Sequence, residues 1–356
     1  MRICVSHGTA LHYWLRMPNL RRPGERSSRA SAVPRRLPGA EETRALFEAF
    51  GYCLPTGCDS LDLLVSSQGG RHWVEHVSAH LCSAQLPPGS FVPQVVWGHE
   101  VYLSSPELIF LQMAEELEFD QLVYVGYALC SEFRLDDLEE GGCVHREGHD
   151  TALTSVAKVR SYLEQLPRGA RNRAVALRAL EYVRDGARSP REAGIAETLL
   201  LPARLGGEGY SKLALNREVR LFDGVDSRGR DRWVTRIPDI LVEARDRGGV
   251  TRRVGIDYDA DSTHSGAPRR LSDTDRRNLV AASGPFTHIS LYTEQVSDYE
   301  TFRRELDRIR RALGQRARPR VSAKSDSQDA QRVLGQAEQR RFELWSRVLG
   351  GERYAL

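Results

Sequence analysis

Apolar positions recur every three to four residues in some stretches of the chain and every second residue in others. The two periods separate predicted helices from predicted strands. Ser105 followed by Pro106 opens a helix with Leu108, Ile109, Leu111 and Leu117 on one largely apolar face. Two amphipathic helices are predicted at about 151–166 and 170–185, with Pro167-Arg168-Gly169 between them. Ser189 starts another, because Glu192 stands at capping-box spacing ahead of AGIAETLLL. The same spacing at Ser297 to Glu300 heads a helix over about 298–313, and 330–349 reads as one amphipathic terminal helix.

Strand patterns fall in two regions. Residues 41–104 read as short strands and turns, including 61–67 and a pair around Gly98, and Ser6-His7 reads as part of a packed strand. Further candidates are 217–222, 233–243, 252–259 and 286–292. The Arg/Pro/Ser-rich 21–40 reads as an exposed basic loop, 139–150 as a turn-rich hinge, and GGEG at 206–209 as a turn. The fold class is therefore α/β. An α+β module (1–150) and a helical linker (151–188) precede a core of helix, mixed sheet and helix (189–313), and a linker and terminal helix (314–356) follow.

A length of 356 residues suits two domains, and 40% hydrophobic residues suffice to build real cores. The net charge of +3 excludes a polycation. Of 51 basic residues only Lys158, Lys212 and Lys324 are lysines, so lysine chemistry has few candidates. No apolar run is long enough to span a membrane, and the N-terminus lacks the pattern of a secretory signal. Six scattered cysteines do not make a disulfide framework, which points to reduced thiols and a cytoplasmic location.

The stretch WVTRIPDILVEARDRGGVTRRVGIDYDADSTH (233–264) carries the candidate chemistry. It reads as a hairpin turning at Gly248-Gly249. Alternation puts Asp257 and Asp259 on one face, Val254, Ile256 and Tyr258 on the other, and Asp239 opposite the acidic pair. Carboxylates gathered in apolar strands repel one another and are costly to desolvate, and a divalent cation with oxygen ligands relieves both problems. Asp239 and Asp257 are the candidate ligands of Mg²⁺, with Mn²⁺ as an alternative, and His264 is placed to act as a base. A plainer reading also stands: Asp259 and Asp261 as turn acceptors, Asp239 bonded to a neighbouring amide, and Glu192 as a capping residue only. His72, His76 and His80 recur every four residues, a zinc spacing on a helix but equally compatible with a strand. No phosphate-binding GxxxxGK[ST] is present.

SPRE, GGEGY, LN, PDI, VGIDYDADSTH, DRRN and GPFTHISLYTEQ together resemble the restriction-endonuclease-like fold, and within it the very-short-patch-repair endonucleases. The resemblance covers about 189–312. It implies Mg²⁺-dependent cleavage of DNA phosphodiesters in phage defence or DNA repair, or a descendant that binds DNA without cutting. By the same resemblance Glu192 matches the family's helical acid and Asp239 the acid of the P-D step. Asp257 and Asp259 match the acidic pair, and His264 the histidine that follows. Asp273 or Asp275 with Arg276 and Arg277 matches the last segment. Arg269, Arg270, Arg276 and Arg277 would contact phosphate, with a solvated helix face as the plain alternative for Arg276 and Arg277. Two departures stand out, Asp257 where the family has Glu and Ala260 where it has Gly; the lysine of the broader nuclease signature is also absent near the hairpin, as it commonly is in the very-short-patch branch.

Residues 3–16 and 101–133 are similar to proteins associated with AbiEi-type antitoxins, which implies a regulatory or defence context. Ser6-His7 and Trp14 are open to a functional or a packing role. A non-catalytic DNA-binding regulator is thus the competing expectation. The terminal helix is a candidate for docking a protein partner or a second copy.

Overall fold

The computed structural model describes residues 2–17, 28–139, 141–146, 151–259, 286–316 and 328–350. The architecture is mixed α/β, and the chain divides into two compact units, Met1–Asp185 and Gly186–Ala355. The helices at 156–165 and 173–180, expected as a linker, belong to the first unit, and the terminal helix belongs to the second.

The first unit carries a sheet of order β3-β2-β1-β5-β4. Its strands are β1 (Cys4–Val5), β2 (Leu61–Val65), β3 (Val77–Leu81), β4 (Phe91–Val96) and β5 (His99–Ser104), and β6 (Phe133–Leu135) and β7 (Cys143–His145) form a separate antiparallel pair. β1 runs parallel to β5 and antiparallel to β2, and β2 runs parallel to β3. Trp97 and Gly98 both take positive φ, the geometry of a two-residue turn that follows strand twist, so the pair predicted around Gly98 closes as a hairpin. The helices are α1 (His7–Arg16), α2 (Arg29–Ala32), α3 (Ala40–Phe50), α4 (Pro106–Met113), α5 (Phe119–Leu129), α6 (Val156–Gln165) and α7 (Arg173–Leu180). Ser105 caps α4 as expected, accepting the Leu108 amide at 3.3 Å.

Three expectations for this unit are corrected. His7 opens a helix over residues 7–16 rather than continuing a packed strand, because Ala10, Leu11, Tyr13, Trp14 and Leu15 are buried together and strand alternation cannot bury consecutive positions on one side. The strand-and-turn reading from 41 onward missed α3, whose buried Thr43, Leu46, Ala49 and Phe50 follow a helical period. The basic stretch is packed where it is described: Ala32, Val33 and Leu37 are buried, and Leu37 is 5% exposed. All six cysteines lie in this unit as free thiols.

The second unit has a sheet of order β13-β12-β11-β8 and a separate ribbon of β9 and β10. Their spans are β8 (Lys212–Leu215), β9 (Val219–Val225), β10 (Asp231–Arg236), β11 (Ile240–Arg245), β12 (Thr251–Asp259) and β13 (Thr287–Tyr292). β11 is antiparallel to β8 and β12, and β12 is parallel to β13. The strand predicted over 233–243 is broken: β10 ends at Arg236 in the ribbon and β11 begins at Ile240 in the sheet. Buried Pro238 sits at the break, where its missing N–H would leave a gap in a ladder.

Helix α8 (Pro190–Leu200) precedes the sheet, and α9 (Thr293–Ser297), α10 (Tyr299–Ala312) and α11 (Gln328–Trp345) follow it. Asp298, not Ser297, caps α10, accepting the Thr301 amide at 2.9 Å. One sheet face buries Ile240, Val242, Val254, Ile256 and Leu291, and α10 packs on β12 and β13 through Phe302, Leu306 and Ile309. The chain after α11 makes a wide turn, Ser346–Gly350, and buries Val348 and Leu349. There the Val348 carbonyl lies against Gly194 of α8.

On the opposite sheet face Leu241 and Phe286 bury together with Leu221 of the ribbon. Gly255 makes room for this contact, since a Cβ there would stand 2.5 Å from Phe286 Cε2. Gly255→Ala is expected to destabilise the unit by about 1–3 kcal/mol through overpacking. Chemical denaturation of the full chain checks this, and an unchanged midpoint would rule it out.

Candidate functional site: an acidic end of the second sheet

Register brings the acids together. Ile240 pairs with Ile256, so Asp239, one residue before the strand, stands beside Asp257, one residue after its partner. The Asp239 amide donates to Asp257 Oδ1 at 3.2 Å, and Asp239 Oδ2 accepts the Tyr258 amide at 2.7 Å.

Glu192 reaches the same end of the sheet from α8. Ser189 Oγ accepts the Glu192 amide and donates to Glu192 Oε1 at 3.1 Å, while Oε2 accepts the Arg188 amide at 3.0 Å. The capping role is therefore real. It does not remove the carboxyl from the acid cluster, because Asn216 Nδ2 also donates to Oε2, at 3.2 Å, and the Asn216 backbone amide donates to the Asp239 carbonyl at 2.9 Å. Asn216 has φ +47, a left-handed conformation that asparagine tolerates better than most residues, and so it ties the helix start to the strand start. Its Oδ1 is buried and has no hydrogen-bond partner among the described residues.

Burial pushes the Asp239 carboxyl up to about 7; the Glu192 charge and then that of Asp257 add to the effect, against the Tyr258 amide and Arg188. Burial likewise raises Glu192 above the usual carboxylate range, opposed by its hydrogen bonds from Arg188, Asn216 and Ser189. Asp257 Oδ2 is 2.8 Å from His288 Nε2. A cavity of 240 Å³ opens here between Thr235–Pro238 and Phe286, with Asp257 and His288 in its lining.

Of the residues singled out in the sequence, Glu192, Asp239 and Asp257 converge. Asp259 keeps the same strand parity but lies at the exposed end of β12. His264, Asp261, Asp273, Asp275, Arg269, Arg270, Arg276 and Arg277 lie outside the described residues. Lys212 is nearer the hairpin than the sequence suggested: β8 pairs with β11 and sets Lys212 opposite Glu243. That is four residues along the strand from Asp239, about 13 Å at a strand's rise, so among the described residues no lysine joins the acids. His72, His76 and His80 share no helix. His80 is on β3, and His76 sits before that strand at φ +61, with its Nδ1 on the Asp59 carbonyl. Sequence reasoning missed His288. Its parity on β13 matches that of Asp257, but only the parallel register makes the two adjacent.

Three gathered carboxylates are a donor set of the hard, oxygen-rich kind that suits a divalent cation. Comparison with protein-family models, with curated proteins and with solved structures gave no match. Among the described residues no helix is long and apolar enough to cross a membrane.

Proposed function

We propose that the second unit is a restriction-endonuclease-like, Mg²⁺- or Mn²⁺-dependent DNA endonuclease that hydrolyses phosphodiester bonds. The observation that carries this reading is the convergence of Glu192, Asp239 and Asp257 beside a cavity, with Asp239 driven to about 7 by burial and its acidic neighbours. Such a cluster asks for positive charge. Asp239 and Asp257 would hold the ion, and Glu192 would contribute from behind its cap. A bound divalent cation activates water for attack and stabilises charge on the phosphoryl oxygens.

The protein's own groups do the rest. His288 orients the Asp257 carboxylate through their 2.8 Å contact. The cap and Asn216 fix Glu192, and Phe286 forms part of the cavity wall. His264 as base, Asp259 as water-orienting group, and Arg269, Arg270, Arg276 and Arg277 as phosphate contacts belong to the same proposal.

The β9–β10 ribbon supports a nucleic-acid substrate. Trp233 and Phe222 are about half exposed and pack edge to face, Arg220 lies 5.6 Å over the Trp233 ring, and Arg232 is exposed nearby. Aromatic faces interleaved with arginines suit stacking on bases and contact with phosphates. Arg220→Ala is expected to weaken DNA binding several-fold and to lower the salt dependence by about one phosphate contact. Fluorescence anisotropy over a salt series checks this, and an unchanged slope would remove Arg220 from the interface.

Metal-dependent nicking of supercoiled plasmid by the full chain tests the proposed function. Binding of DNA that survives chelation, with no nicking at any Mg²⁺ or Mn²⁺ concentration, would overturn it in favour of a DNA-binding regulator.

A further inference from the structure

A second constellation lies in the first unit, where three residues far apart in sequence meet. His7 stands at the junction of β1 and α1, His80 on β3, and Glu116 just past α4. One ligand atom from each lies within 4.8 Å of the other two, with His7 Nε2 4.0 Å from Glu116 Oε1. The imidazole rings stack with centroids 3.7 Å apart.

Neighbouring groups orient both rings. Ser6 Oγ donates to the Asp62 carbonyl at 3.4 Å, so its lone pairs are left to accept from His7 Nδ1, 2.8 Å away. That tautomer leaves His7 Nε2, the atom facing Glu116, bare. Asp62 Oδ2 accepts both the amide and the hydroxyl of Thr9, and Oδ1 is 2.9 Å from His80 Nε2. A His80 that donates Nε2–H to Asp62 keeps Nδ1 free of a proton. Metal-ligating histidines are oriented in this way, with the second ring nitrogen hydrogen-bonded to a carboxylate, a carbonyl or a hydroxyl. His7 is further fixed by its amide, which donates to Gln112 Oε1 at 3.3 Å, and it holds φ +44, a conformation seldom taken by a residue with a side chain.

A cavity of 790 Å³ is lined by His7, His80, Gln112 and Glu116, with Arg71 and Arg171 also facing it. Its volume suits a small-molecule ligand.

We propose that His7, His80 and Glu116 bind a first-row divalent cation of the zinc type, with the remaining coordination positions open to this cavity. Two imidazoles and one carboxylate form a donor set used by catalytic zinc, whereas hard Mg²⁺ prefers an all-oxygen set. Tetrahedral ligands about 2.0–2.1 Å from zinc lie about 3.3 Å apart, so the side chains need to draw in by up to about 1.5 Å, with one imidazole turning out of the stack so that both lone pairs meet the ion. The four-residue histidine repeat in the sequence thus supplies one ligand, His80, and the other two come from elsewhere in the fold. The site is independent of the nuclease reading and belongs to the other unit.

The test is calorimetric titration of chelator-stripped full-length protein with Zn²⁺, paired with the visible absorption of bound Co²⁺. Glu116→Gln is the leading variant because the residue is exposed and the change is isosteric, and His80→Ala is the second. Asp257→Asn is the control. Wild type and Asp257→Asn should bind one zinc per chain at this site, and Glu116→Gln should bind it about 10-fold or more weakly. Addition of imidazole should shift the Co²⁺ spectrum of the wild type if coordination positions are open. Absence of zinc binding in the wild type, or unchanged binding in both Glu116→Gln and His80→Ala, would overturn the site. An unshifted spectrum would overturn the open coordination.

Discussion

Asp257→Asn is expected to reduce metal-dependent nicking by about 10³-fold or more, a loss typical of removing one member of a catalytic set, while leaving the sheet intact. The substitution is nearly isosteric, and the new Oδ1 still accepts the Asp239 amide that Asp257 Oδ1 accepts at 3.2 Å. The negative charge needed to hold a cation is lost, together with the charged partner of His288. The fold should register little, because the strand's packing face, Val254 and Ile256, is untouched. Calorimetric titration with Mg²⁺ or Mn²⁺ should show metal binding lost in step with nicking, with circular dichroism unchanged. Normal nicking by a folded Asp257→Asn protein would remove Asp257 from the centre and with it the acid-cluster mechanism.

The second large effect concerns stability against pH. The Asp239 carboxyl rises from its ordinary 3.8 to about 7 in the folded chain. Between those values the native state keeps a proton that the unfolded chain has released. The resulting stabilisation is fully present below about pH 4 and is lost as pH rises through 7. A shift of this size, at 1.36 kcal/mol per pH unit, corresponds to about 4 kcal/mol at most, and the partial exposure of the group reduces the expectation to roughly 2–3 kcal/mol. In chelator, the second unit should therefore melt at a lower temperature at pH 8 than at pH 5. Asp239→Asn should flatten that dependence and raise stability at pH 8. Added Mg²⁺ should reduce the slope in the wild type, since the ion takes the place of the proton. Parallel melting profiles for wild type and Asp239→Asn would show that the carboxyl ionises freely in the fold.

The second unit was more legible in the sequence than the first. Capping patterns at Ser105 and Ser189 located two helix starts to the residue, because a hydroxyl facing its own first turn is a local interaction. Alternation in 252–259 separated Val254 and Ile256 from Asp257, and the turn at Gly248-Gly249 implied the register that brings Asp239 to Asp257. The long-range pairings were not legible. Nothing local says that β13 runs parallel to β12, so His288 stayed out of the predicted site. The same holds for β8, which was not foreseen and which carries Asn216 at its end. In the first unit, His7, His80 and Glu116 meet through an order of strands and helices that periodicity does not encode. The consecutive buried residues of α1 defeated the strand reading for a different reason: a helix buried nearly all round has no polar stripe to reveal its period.

The turn after α11 sets an order of events during synthesis. Val348 and Leu349 are buried, the Val348 carbonyl lies against Gly194, and the Leu349 carbonyl accepts from Arg191, next to Glu192 on the first turn of α8. The Glu192 end of the acidic face is thus buttressed by residues made more than 150 positions later. A ribosome that has already released the whole first unit is still holding the second unit open. The acid cluster gains its full support only once residues 348 and 349 have been made, which delays completion of that face until the first unit has had time to fold.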